Sequence, residues 1–219
     1  MSTCLYFSGK TTLLSELFGI TGDTGQFTHT ETPQFYELHQ NMLVIDFPGT
    51  NSLELHAKTF SICGAMSNFI ILVIPYTGDM NTLISEEISK VFKVMAGSES
   101  AHVLLCVNKC GYELPKALKS EIPLLAQQEK KGDQNPIDYL QERFASKLTK
   151  HYQSTGENFC VPKENILFTD WVVSEEEAVK NCGIVGVEAV EKEIKKYIKK
   201  YSILNDTEIA EIFGSAPRE

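Results

Sequence analysis

The sequence predicts a three-layer α/β domain: a mostly parallel sheet with helices on both faces and one antiparallel hairpin strand. Three observations carry this. Short apolar runs alternate with segments of helical period along most of the chain. The run 69–74 is continuously apolar, the pattern of a strand buried on both faces of a parallel sheet, and 102–107 reads as another buried strand. A single hairpin signal is present, the pair Gln40-Asn41 between strand-like runs at 34–39 and 42–47.

Taken in order, residues 3–7 have strand composition and lead into a glycine turn. Leu13, Leu14, Leu17 and Phe18 then mark a short amphipathic helix. Residues 19–33 are rich in Gly, Thr and Asp without periodicity, a loop long enough to carry a function. After the hairpin, a helix-compatible stretch covers 52–66. Ile84, Ile88, Val91 and Met95 sit at helical spacing between the two buried strands. One helix is expected over about 114–130. A second begins at Asn135 as N-cap with Pro136 at the first helical position, burying Ile137, Leu140, Phe144 and Leu148. Residues 165–168 form a last short strand. Val187, Val190, Ile194, Ile198 and Tyr201 give a long helix one apolar face, and Glu191 precedes Lys195 by four residues as a supporting pair. Beyond 202, Ile209, Ile212 and Phe213 suggest one short helix before a frayed end. The expected organisation is a domain over 1–201, with a helical elaboration at 111–163, and a C-terminal tail at 202–219.

The totals bound the function. A chain of 219 residues, 42% hydrophobic and 22% charged, suits one domain with a buried core. A net charge of −9 argues against nucleic-acid binding, which needs a basic face to displace counterions. The lysine pairs at 195–200 read as the solvated face of the last long helix. Six cysteines lie scattered without a Cys-x-x-Cys pair, the usage of free thiols in a reducing compartment. No apolar run reaches the ~18 residues of a membrane span, and a cytoplasmic protein is the expectation.

Three marked motifs fall at strand carboxyl ends, where open α/β sheets bind ligands. The first is Ser8-Gly9-Lys10-Thr11-Thr12 at the mouth of a helix. The first N–H groups of a helix have no intrahelical acceptor and attract an anion, and glycine lets backbone approach a phosphate. A lysine and a hydroxyl at the next positions suit a triphosphate and a magnesium ion. The second is Asp46-Phe47-Pro48-Gly49, and the third is Asn108-Lys109. Asp46 could also cap the helix after it, and Asn108-Lys109 could be an ordinary polar turn. The lone Trp171, in Thr169-Asp170-Trp171, could stack near a base or simply pack. The five histidines form no visible cluster.

The ordering of these motifs resembles the P-loop GTPases over roughly 5–201. The Asp-Phe-Pro-Gly form and the spacing from Thr28 to Asp46 look most like the immunity-related, interferon-inducible and immunity-associated members. The resemblance implies GTP and GDP as ligands, Mg²⁺ as the metal, and a slow GTPase acting as a switch. By that resemblance Ser8, Gly9, Lys10, Thr11 and Thr12 cradle phosphate, with Lys10 on the β and γ phosphates. Thr11 holds Mg²⁺, and Asp46 reaches it through a water. Thr28, with Thr30 and Thr32 as alternates, completes the metal shell. The Gly49 N–H meets the γ-phosphate, so that Lys10, Thr28 and Gly49 are the catalytic set. Asn108 braces the base pocket and the Lys109 stem lies along the base. A second G domain, of this chain or another, is the implied protein partner.

Two positions depart from the family pattern. The phosphate loop's first glycine position is Cys4, with three residues before it, so the chain is expected to be shortened at its N-terminus. The strand concerned should lie centrally, between the third and fourth in sequence. The guanine motif reads Asn108-Lys109-Cys110-Gly111, with glycine where the family has a guanine-accepting aspartate; Glu113 is a candidate substitute. No glutamine closely follows Gly49 to position a water. Two other readings stay open: a pseudo-GTPase serving as an interaction or dimerisation module, and an ATP-dependent P-loop enzyme of the kinase type.

Overall fold

The structure is a computed structural model and describes residues 2–4, 9–20, 32–49, 62, 66–76, 102–111, 113–128, 135–154, 162–171 and 182–214. The helix expected over 52–66 lies outside the described residues except for Ile62 and Met66, both helical, and the one at 84–95 lies outside them entirely. Most of the expected loop at 19–33, and residues 5–8 of the opening segment, also fall outside.

Six strands are described: β1 (Ser2–Cys4), β2 (Gln34–His39), β3 (Met42–Gly49), β4 (Phe69–Pro75), β5 (His102–Asn108) and β6 (Ile166–Phe168). They form one sheet in the order β2-β3-β1-β4-β5-β6. Only β2–β3 is antiparallel; the other neighbours run parallel. The opening strand lies between the third and fourth, as the resemblance to the P-loop GTPases implies. It pairs Ser2 with both Asp46 and Ile71, and Cys4 with both Gly49 and Val73. These crossovers bring the carboxyl ends of β1, β3, β4 and β5 to one edge of the sheet.

Side chains alternate across this sheet and sort its core into two layers. On one face, Ile45, Phe47, Ile70, Leu72, Ile74, Val103, Leu105 and Val107 pack against helices α2 (Leu114–Lys119), α3 (Glu121–Gln128) and α4 (Pro136–Ser154). On the other, Ile71, Val73, Leu104 and Cys106 meet α1 (Lys10–Phe18), α5 (Val187–Lys200) and α6 (Asp206–Gly214). With Ile45 and Phe47 committed to the first layer, the period of two turns Asp46 toward the α1 face.

The single helix expected over 114–130 is two. Pro123 has no N–H to donate, and its ring would clash with the carbonyl of Lys119 four residues back. The chain breaks at Ser120, whose N–H shares the carbonyls of Lys116 and Ala117. In α4 the expected cap is present: the Ile137 N–H donates to Asn135 Oδ1 at 3.0 Å. Leu140, Phe144 and Leu148 are buried there, with Ile137 half-buried. In α5 the apolar face differs from expectation at one position. Tyr201 is 55% exposed, because it caps the helix where the chain leaves the core. Tyr197 is buried in its place, and its hydroxyl donates to the Asn68 carbonyl at 2.9 Å. The Glu191–Lys195 pair forms as expected.

Helix α6 holds its place through a reciprocal cap. Asn205 Oδ1 accepts from the N–H groups of Thr207 and Glu208, while Glu208 Oε2 accepts from the Asn205 N–H. Ile209, Ile212 and Phe213 are then buried, and Phe213 meets Phe18 of α1 at 5.4 Å between ring centroids.

His102, at the start of β5, stacks on Phe69 and leans on Tyr197. Burial pushes its imidazole below the ordinary value of 6.5; Glu193 opposes the shift, and Lys200 and Lys196 add to it. The unfolded chain therefore takes up a proton before the folded one does. This contribution to stability is intact above the ordinary histidine value and is lost as pH falls below it. Urea midpoints measured from pH 7.5 to 5 should fall in the wild type and fall less in His102→Phe, which keeps an aromatic ring without the proton site.

Candidate functional site

Gly9 is the N-cap of helix α1 and has φ 91°, a left-handed conformation that disfavours any residue with a Cβ. Gly9, as N-cap, has no side chain to cap this N-terminus, and no acidic residue stands in the first turn. Lys10 instead occupies the first helical position, a cation at the positive end of the helix dipole. Local preference alone would put an acid or a capping oxygen there. The arrangement makes sense beside an anion, which the N–H groups and the ammonium would attract together. Lys10 and Thr11 are half-buried and Thr12 is exposed. Ser8 and Thr28, with the alternate Thr30, lie outside the described residues; Thr32 is exposed.

Asp46 is 1% exposed on the α1 face of β3, three residues before the strand ends at Gly49. Its charge reaches Tyr36, whose hydroxyl is pushed above its ordinary value by burial first and by Asp46 second. Asp46 and α1, which carries Thr11, thus lie on the same face of the sheet. Hydroxyl and carboxylate are hard oxygen donors, the set Mg²⁺ prefers. Among the described residues no group of three or more His, Cys, Asp or Glu gathers to hold a metal. An ion held here would take its remaining ligands from phosphate and water, as Mg²⁺ commonly does.

The ends of β5 and β6 are tied into one ledge. The Thr169 N–H donates to the Val107 carbonyl at 2.7 Å, and the Cys110 N–H to the Thr169 carbonyl at 3.2 Å. The Thr169 hydroxyl lies 3.3 Å from both the Val107 carbonyl and Asn108 Oδ1. With its oxygen turned to Thr169, the Asn108 amide presents Nδ2 to the start of α1. A Cβ built on Gly9 would stand 2.9 Å from that nitrogen and 2.6 Å from Cζ3 of Trp171. The indole lies over Gly9 and joins the core layer under α1 and α5. Trp171 therefore packs, although its buried indole N–H has no hydrogen-bond partner among the described residues.

Lys109 is exposed, with φ 64°, a turn geometry uncommon for a residue with a long side chain. Cys110 is buried beneath it. Burial pushes its thiol well above the ordinary range, and the neighbouring Asp170 charge pushes the same way. Sequence reading assigns no role to Asp170. It is 7% exposed, and its Oδ2 accepts from the Gly111 N–H at 2.8 Å. The available signal was a carboxylate in a polar tripeptide at a strand's carboxyl end, on the strand next to β5. Glu113, the expected substitute, is exposed at the start of α2.

No family model matches this chain, and no curated protein matches it in sequence. Among solved structures seven chains match. One is the crystal structure of a bacterial selenocysteine-specific elongation factor, EF-Sec, at 18% identity and a TM-score of 0.50. The match covers 94% of this chain and 28% of that one, so the chain spans little more than a quarter of the elongation factor's length. The likeness defines the fold, a G-domain-like mixed α/β sheet with an antiparallel hairpin. Among the described residues no helix is long and apolar enough to cross a membrane.

Gly9→Ala should destabilise the protein by about 1–2 kcal/mol from the left-handed backbone alone, and further through overlap with the indole. In a Trp171→Ala background the second part should vanish. A urea double-mutant cycle should therefore give a coupling outside additivity; strict additivity would remove the ring contact as a cause.

Proposed function

We propose that this chain is a GTP-binding switch with slow, Mg²⁺-dependent GTPase activity. The observation that carries the reading is the start of α1, N-capped by a glycine, with Lys10 at its first position and Asn108 against Gly9. No other feature among the described residues so plainly calls for a polyanion. In this reading Lys10 and the amides of Gly9 to Thr12, with Ser8, grip the phosphates. Thr11 and Asp46 hold Mg²⁺, the latter through a water, and Thr28 closes the metal shell. The Gly49 N–H contacts the γ-phosphate, so the chain beyond it responds to hydrolysis. Asn108 braces the loop, and the Lys109 stem lies along the base. Residues 111–163 are a helical elaboration on this G domain. The Asp-Phe-Pro-Gly sequence and the spacing from Thr28 favour the immunity-related GTPases as its relatives, with a second G domain as partner and the cytoplasm as its place.

A second reading, a pseudo-GTPase that serves as an interaction module, is favoured by Gly111 in the guanine motif and by Phe35 and Leu43. Both side chains are 55% exposed on one face of the β2–β3 hairpin.

Titration with methylanthraniloyl-GTP and -GDP, with and without Mg²⁺, separates the two. Binding that depends on Mg²⁺ for the triphosphate, and that weakens about 10- to 100-fold in Lys10→Ala through loss of charge-assisted hydrogen bonds, supports the switch. An equally weak signal from both proteins supports the module. Preference for the ATP analogue would point to the kinase-type enzyme.

A further inference from the structure

Resting on the nucleotide-binding reading, we infer that the Asp170 carboxylate is the acceptor that selects guanine, taking the place of the side chain Gly111 lacks. Guanine presents two adjacent donors, N1–H and the 2-amino group, and a site that recognises it needs a paired acceptor in a fixed place. Gly111 has no side chain to supply one. The next strand brings Asp170 to that residue's own amide, with Oδ2 accepting the Gly111 N–H at 2.8 Å. A carboxylate offers about four lone-pair sites, so a bond to one of them does not by itself close it to a base.

The position is fixed from several sides. Cys110 N–H binds the Thr169 carbonyl, and Asp170 N–H binds the Val185 carbonyl at 3.1 Å. Trp171, the next residue, lies over Gly9 of the phosphate-binding turn, which places Asp170 within one residue of that turn's roof. At 7% exposure the charge acts where water competes weakly, so a wrong base is costly. Adenine would bring a ring-nitrogen acceptor against the carboxylate, and xanthine a second carbonyl in place of the amino group.

The test is competition of GDP, XDP and ADP against methylanthraniloyl-GDP on the full chain, for wild type, Asp170→Asn, and Asp170→Asn combined with Gly111→Asp. The amide in Asp170→Asn can still accept from Gly111 N–H while offering a donor to xanthine. GDP affinity should fall about 10- to 100-fold, as expected for a lost charge-assisted bond, and preference for GDP over XDP should drop at least tenfold. Positive φ among the described glycines falls at Gly9, Gly19 and Gly183, not at Gly111, so a side chain there meets no left-handed strain. The double variant should regain GDP preference. A merely structural role for Asp170 would lower the melting temperature and weaken all three nucleotides alike, leaving the ratio unchanged, and would overturn the assignment. GDP preference retained in Asp170→Asn would overturn it too. Failure of the wild type to bind any nucleotide overturns both this inference and the reading beneath it.

Discussion

The parallel pairing of β4 with β5 is the constraint from which the rest of the structure follows. Seven residues of each strand match in register, from Phe69 opposite His102 to Pro75 opposite Asn108. Most of their side chains are buried on both faces, so a slip by one residue would exchange the two core layers and is excluded by packing. That fixed register sets the height at which β5 ends. The Asn108 carbonyl then accepts the Tyr76 N–H at 2.7 Å, closing β4 and β5 at the same level. The short β6 joins at Leu105 to Val107 and delivers Thr169 and Asp170 to that level as well.

The candidate site gathers the places where local preference and observed structure disagree. Lys10 sits at the wrong end of a helix dipole, Lys109 takes a left-handed backbone, and a half-buried ring presses on Gly9. Each would be a liability in an ordinary turn, and such conflicts collect where a fold serves a ligand. The hydrogen bonds joining Val107, Thr169 and Cys110 supply the rigidity that keeps these features in place. The described part of the candidate site is thus held in place by the sheet itself.

Several elements could be read directly from residue pattern. The hairpin, the two doubly buried strands and the Asn135-Pro136 helix start follow from local rules of period and cap, whereas the central place of the opening strand is implied by the resemblance to the P-loop GTPases. The break at Ser120 follows from an equally local rule, the clash of Pro123 with a carbonyl one turn back. The choice between Tyr197 and Tyr201 did not, because both lie near one apolar stripe. Only the neighbouring β4 start, offering the Asn68 carbonyl, decides which ring turns inward.

By itself the sequence determined the fold class, the order of the described elements and the Gly9-Lys10 turn at the start of α1, since each depends on residues close together in the chain. What only the tertiary structure decided is the pairing of distant loops. Gly111 looks like a loss when read along the chain. In space it lies against Asp170, 59 residues away, because β5 and β6 are neighbours in the sheet. Gly9 likewise needs its glycine for a ring 162 positions later. Side-chain period and capping are local properties of a sequence, whereas strand order brings such pairs together through burial of the whole core.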